Sequence, residues 1–100
     1  MIPNVIDIGG LPFTVKYDKN DLLKSANIDG MIRYSCQDIS LRDNMSKEYT
    51  EQVLCHELTH GILNNIGKDE LSNNEEFVSA FGNCLYKVLK ENKLYFGGNE

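Results

Sequence analysis

Histidine is nearly absent from this chain: two in 100 residues, both inside one five-residue stretch. Other absences narrow the field first. No apolar run approaches the roughly 20 residues of a membrane-spanning helix, so no membrane span is expected. The opening residues Met1-Ile2-Pro3-Asn4 lack the basic start and long apolar core of an export leader. Ten Lys and Arg stand against 15 Asp and Glu, for a net charge of −5. The basic residues are scattered and form no stripe along a phosphate backbone, so nucleic acid is not an expected partner. Cysteine is scarce and odd in number: Cys36, Cys55 and Cys84 have no disulfide-framework spacing. They read as free thiols, small buried apolar groups in a reducing cytoplasm, the compartment expected for the chain. There is no internal repeat, linker or low-complexity segment. One hundred residues, 41% hydrophobic and 25% charged, suit a single folded domain over residues 1–100.

The two histidines stand as His56-Glu57-Leu58-Thr59-His60. On an α-helix, residues four apart lie one turn apart on the same face. His56 and His60 can then offer two imidazole nitrogens to one cation, with Glu57 beside them to take a proton from a metal-bound water. That is the His-Glu-x-x-His signature of zinc hydrolases.

The surrounding pattern predicts the helix. Ser46 is a good N-cap, Glu48 and Glu51 suit the positive end of the dipole, and Gly67 is a natural stop. Between them only Gly61 breaks the run of helix-compatible residues. The helix is expected over about 46–66, with Leu54, Leu58, Ile62 and Ile66 (and Cys55) on its apolar side and the histidines and Glu57 at the margin. A second helix is expected over about 74–91 after a polar turn at 68–73. Its apolar stripe is Phe77, Val78, Phe81, Leu85, Val88 and Leu89, and its wet face Glu76, Asn83, Lys87 and Lys90. The tail from Asn92 reads as frayed.

The N-terminal part, about residues 2–41, reads as strands. Residues 5–8 and 11–17 flank Gly9-Gly10, a hairpin signal. Phe13, Val15 and Tyr17 alternate with polar residues, and Pro12 suggests an edge strand or a first position. Residues 18–30 are a loop or one weak helical turn. Residues 31–41 look like one extended segment, with an irregularity near Gln37-Asp38, before a turn at 42–45. The fold class is therefore α+β.

Catalytic zinc normally takes three protein ligands. No third histidine exists, so a carboxylate on a neighbouring segment must serve. Glu75 and Glu76 open the second helix. On a helical wheel Glu75 lies about 90° from the centre of the apolar stripe and Glu76 about 170° from it, so Glu75 can turn inward. Ser72-x-x-Glu75 also matches a capping box, in which Glu75 would only bond the cap amide. Two histidines without a partner favour the ligand. Ser79, one turn on, could orient a ligand by a hydrogen bond.

The motif, followed by a glutamate on the next helix, resembles the gluzincin clan of metallopeptidases. Glu75-x-x-Val78-Ser79-x-Phe81-Gly82 is similar to the Glu-x-x-Ala-Asn-x-Phe-Ala run of ImmA/IrrE-like peptidases, and residues 50–92 resemble short phage-encoded metallopeptidases. Thr59 departs from a frequent Gly, and Ser79 from the Asn. The resemblance implies a minimal zincin-like domain: a small, mostly antiparallel sheet packed on the His-Glu-x-x-His helix and a glutamate-bearing helix. It implies one Zn2+ held by His56, His60 and Glu75, with Glu57 as general base in peptide-bond hydrolysis. The substrate would be a protein or peptide, such as a phage or mobile-element regulator, added along the strand ending Asp38-Ile39-Ser40-Leu41. For the oxyanion, Tyr34 and Tyr95 are open candidates. Tyr86, about 16 Å along the helix from Glu75, is too distant. The competing class is a metal-binding regulatory or interaction module that does not cut.

Overall fold

The paired glycines make the first hairpin. Gly9 and Gly10 both take positive φ (57° and 94°), the conformation a two-residue turn of this kind demands. They join β1 (Val5–Ile8) to β2 (Leu11–Asp18) in antiparallel register. The computed structural model describes residues 2–94 and 96–97. After β2 come one helical turn, α1 (Leu22–Ser25), then β3 (Gly30–Arg33) and β4 (Asp38–Arg42). Three helices follow: α2 (Lys47–Asn65), the single turn α3 (Asp69–Ser72) and α4 (Glu75–Asn92).

The four strands form one mixed sheet in the order β1-β2-β4-β3. The β1–β2 and β3–β4 pairs are antiparallel and β2–β4 is parallel. The extended segment expected over 31–41 is therefore two strands. The chain reverses at residues 34–37, with Gln37 at φ 52°. No Gly, Asn or Pro marks this turn, and the alternation of Ile32, Tyr34 and Cys36 imitates one continuous strand. As a result β4 is internal, paired on both sides, and cannot accept a further strand. The edge beside the helices is β3.

Pro12 also departs from expectation, being the second residue of an internal strand. Its position is tolerated because β4 pairing begins only at Thr14, and the Pro12 carbonyl takes a 2.7 Å hydrogen bond from the Gln37 side chain instead.

The two long helices have conventional ends. Ser46 caps α2 by accepting from the Tyr49 amide at 3.1 Å, and Gly67 (φ 78°) follows its last turn. The cap of α4 is Asn74, whose side chain accepts from the Phe77 amide at 3.1 Å. Ser72 is therefore not a capping residue, and the capping-box reading falls.

One face of the sheet carries Ile8, Phe13, Val15, Ile39 and Leu41 into a core closed by Val53 and Leu54 of α2. Gly61 lets the sheet approach closely, since a Cβ there would come within 3 Å of both Ile8 and Ile32 (2.8 and 2.9 Å). On its other side α2 carries α4, antiparallel to it: His60 faces Glu75, Gln52 faces Asn83 and Glu51 faces Lys90. Sandwiched in this way, α2 has no single apolar stripe. Ile62 and Ile66 are exposed (44% and 59%), while Glu57, Thr50 and Thr59 are buried. Thr59 satisfies its hydroxyl by a 2.8 Å bond back to the Cys55 carbonyl. In α4, Val78 and Gly82 are buried and Phe81 and Val88 exposed; Asn83, expected on the wet face, turns inward. Tyr17, expected inside with Phe13 and Val15, is exposed. Of the cysteines only Cys55 is buried; Cys36 and Cys84 are exposed and all three are free thiols. Among the described residues no helix is long and apolar enough to cross a membrane. The tail expected to fray from Asn92 lies partly outside the described residues.

Candidate metal centre

Helix geometry brings the histidines together. One turn apart on α2, their rings stand 5.0 Å centre to centre. The antiparallel packing of α4 then sets its first residue, Glu75, over both. One carboxylate oxygen lies 3.1 Å from His56 Nε2 and the other 2.9 Å from His60 Nε2. The three donor atoms all fall within 4.8 Å of one another. Ligands about 2.0–2.2 Å from one tetrahedral ion stand ~3.4 Å apart, so side-chain movements of about an ångström bring the group onto one cation. Two imidazoles and a carboxylate are a donor set for a borderline divalent ion. His56, His60 and Glu75 thus form a group that can hold a metal ion. Glu75 and Glu76 are both exposed, and Glu75 is the one whose carboxylate reaches the histidines.

Gly82 sets the approach of α4. A Cβ at this position would lie 3.1 Å from the His56 Cα and 3.4 Å from the Cys55 carbonyl oxygen. Glu75 is seven residues, about two turns, upstream of that contact, so helix separation at Gly82 governs where its carboxylate falls.

Glu57 is only 6% exposed. Burial, with a smaller contribution from the nearby Glu75 charge, pushes its carboxyl up to about 7. Its side chain opens onto a groove of about 660 Å³ between β3 and the α2–α4 pair. The same groove is lined by His56, His60 and Glu75, by Gly30, Met31 and Ile32 of β3, and by Tyr34. A buried carboxyl thus shares one groove with the His56, His60 and Glu75 group.

Several contributors were not legible beforehand. Ser72, not Ser79, is the hydroxyl that reaches a histidine: its Oγ lies 3.4 Å from His60 Nδ1. At the far end of the groove Gln52 donates to Asn83 (2.8 Å), and Tyr49 donates to Asp29, which also pairs with Arg42 at 3.1 Å. A Gly at the head of the β3 segment was the one available signal of close approach. Of the tyrosines, Tyr34 lines the groove. Tyr95 lies outside the described residues. Tyr86 donates to Glu51 at 3.0 Å, away from the centre. No cysteine belongs to the ligand group.

Comparison with family models, with curated proteins and with solved structures finds no match to this chain.

Proposed function

We propose that the chain is a zinc-dependent peptidase, a minimal zincin-like domain that hydrolyses peptide bonds in a protein or peptide. One observation carries the reading: two imidazoles and a carboxylate offer ligand atoms within 4.8 Å of one another, beside a buried glutamate in the same groove. His56, His60 and Glu75 would hold the zinc. Bound there, zinc supplies Lewis acidity, which polarises a carbonyl and lowers the pKa of water toward neutrality.

The chain's own residues do the rest. Glu57, with its carboxyl near neutrality, takes a proton from the attacking water and returns it to the departing amine. Met31 and Ile32 line the same groove with apolar surface. The free edge of β3 offers unpaired main-chain groups along the groove, where an extended peptide can lie as an added strand. The edge is β3 rather than the strand ending at Leu41.

The test is cleavage of a mixed peptide library by zinc-loaded and chelator-stripped protein, read by mass spectrometry. Zinc-dependent cuts that vanish in Glu57→Gln, with zinc retained, are the expected result. Glu75→Gln should lower zinc affinity and Glu76→Gln should leave it unchanged. A wild-type protein that holds zinc and cuts nothing would refute the peptidase reading in favour of a non-cutting metal-binding module.

A further inference from the structure

A serine hydroxyl has one proton to donate and two lone pairs with which to accept. Ser72, 4% exposed, has three neighbours for them: the His60 carbonyl oxygen at 3.2 Å, His60 Nδ1 at 3.4 Å and the Tyr34 hydroxyl at 3.4 Å. The carbonyl can only accept, so it takes the Ser72 proton. Ser72 must then accept from the other two neighbours. His60 Nδ1 therefore carries a hydrogen, and Nε2, the atom 2.9 Å from Glu75, is the nitrogen left to give its lone pair to a cation seated between the two.

We propose that Ser72 is the positioning residue of the metal centre: it holds the proton on His60 Nδ1 and aims the Nε2 lone pair at the metal. The inference rests on the reading of His56, His60 and Glu75 as metal ligands. Position in the chain supports it. Ser72 ends α3, the single turn between the two ligand-bearing helices, and contacts His60 through both its ring and its backbone. A hydroxyl bonded at two points to one residue fixes the ring's rotation as well as its tautomer. The outer partner is Tyr34, just past the end of β3, so the same hydroxyl ties the groove wall to the ligand. A ligand imidazole held in this way through its second nitrogen is more basic and better aimed, and losing such a partner commonly costs about 10–100-fold in metal affinity.

The experiment uses the full chain and zinc alone. Zinc affinity is measured by competition with a chromogenic chelator for the wild type, Ser72→Ala and Ser72→Thr. The imidazole 15N and N–H signals of the zinc-loaded proteins are recorded alongside. The expected outcome is affinity about 10–100-fold lower in Ser72→Ala and mostly restored in Ser72→Thr, which keeps the hydroxyl. In the wild type His60 should bind through Nε2, with an Nδ1 proton slow to exchange; in Ser72→Ala that proton should exchange fast. If Ser72→Ala fails to fold, the wild-type spectrum decides alone, since zinc on Nδ1 of His60 or a rapidly exchanging Nδ1 proton overturns the proposal. Equal affinity in Ser72→Ala also overturns it, with the metal centre intact. A wild type that binds no zinc at all refutes the ligand assignment instead.

Discussion

Gly30 and Glu57 are in contact: a Cβ at position 30 would stand 3.2 Å from both Cγ and Oε2 of Glu57, and 2.7 Å from Val53 Cγ1. The edge strand passes so close to the buried carboxylate that only hydrogen fits between them. Gly30→Ala must therefore shift Val53 or β3 itself and crowd Glu57, at about 1–3 kcal/mol for overpacking. On the proposed reading Glu57 is the proton acceptor and not a ligand, so zinc affinity should stay within about threefold while a misplacement of about an ångström lowers turnover about 100-fold. Parallel measurement of zinc affinity and peptide cleavage separates the two. A variant that loses both in proportion would show that β3 supports the whole centre and not Glu57 alone.

Gly82 stands in the corresponding relation to His56, but through backbone. Its neighbours are the His56 Cα and nitrogen and the Cys55 carbonyl, which cannot rotate away. Gly82→Ala should separate α4 from α2 by a few tenths of an ångström, lift Glu75 from the histidines and weaken zinc binding. The thermal midpoint of the metal-free protein should fall by an amount equivalent to about 1–3 kcal/mol. Unchanged zinc affinity would mean that Glu75 reaches the metal by side-chain flexibility, not by helix placement.

The local signals of the site were readable because each is local physics. The His-Glu-x-x-His spacing, the Ser46 cap, the Gly67 stop and the Gly9-Gly10 turn each act within a few residues. Glu75 was readable because the wheel places it at the margin of a helix that must find a partner. What escaped depends on packing between distant segments. The apolar side of α2 could not be read from period, because that helix is covered twice and meets its neighbours with Gly61, Cys55 and Thr59. The β3–β4 turn escaped because Gln37 adopts a left-handed conformation that its residue type does not advertise. Ser72 looked like a cap in sequence, and only the fold brings it to His60.

Glu57 costs the metal-free protein stability. Its carboxyl, raised from 4.5 to about 7, holds its proton more tightly in the folded chain than in the unfolded one. Below pH 4.5 both states are protonated and the group is neutral in effect. As pH rises through 7 the unfolded chain has already released its proton, so stability falls and stays low above that range. At ~1.4 kcal/mol for each tenfold change in acidity, the penalty at pH 8 is about 3 kcal/mol. Glu57→Gln should accordingly raise the thermal midpoint of zinc-free protein at pH 8 and leave it nearly unchanged at pH 4.5, the pattern of a buried carboxyl that destabilises the fold once ionised. Identical midpoints at pH 8 would mean that the groove hydrates the carboxylate fully.

Asp38 should show the opposite pH dependence on the outer face of the sheet. It is 3% exposed and lies opposite Arg33 across the β3–β4 pair. Its carboxylate takes bonds from Arg33 Nε (2.9 Å) and Nη2 (2.6 Å), and from Lys16 Nζ at 3.2 Å. The Arg33 bond is the main cause that holds this carboxyl below its ordinary value of 3.8, against the opposing effect of burial. A lowered carboxyl contributes stability that is complete above the unfolded value, near pH 4, and is lost as pH falls through the folded one. Charge-assisted hydrogen bonds of this kind contribute about 1.5–3 kcal/mol, and because Arg33 and Lys16 are half-exposed (47% and 53%) they rehydrate readily once the partner is gone. Asp38→Asn should therefore unfold at lower urea concentration than wild type at pH 7, by about 1.5–3 kcal/mol, and the gap should close as pH drops below 4. A gap that persists undiminished at pH 2 would assign the loss to packing of the β2–β4–β3 strands rather than to the ion pair. Because β3 carries Gly30 and lines the groove, the neutral-pH variant should also loosen the wall against which Glu57 rests, seen as faster amide exchange in β3 than in β1.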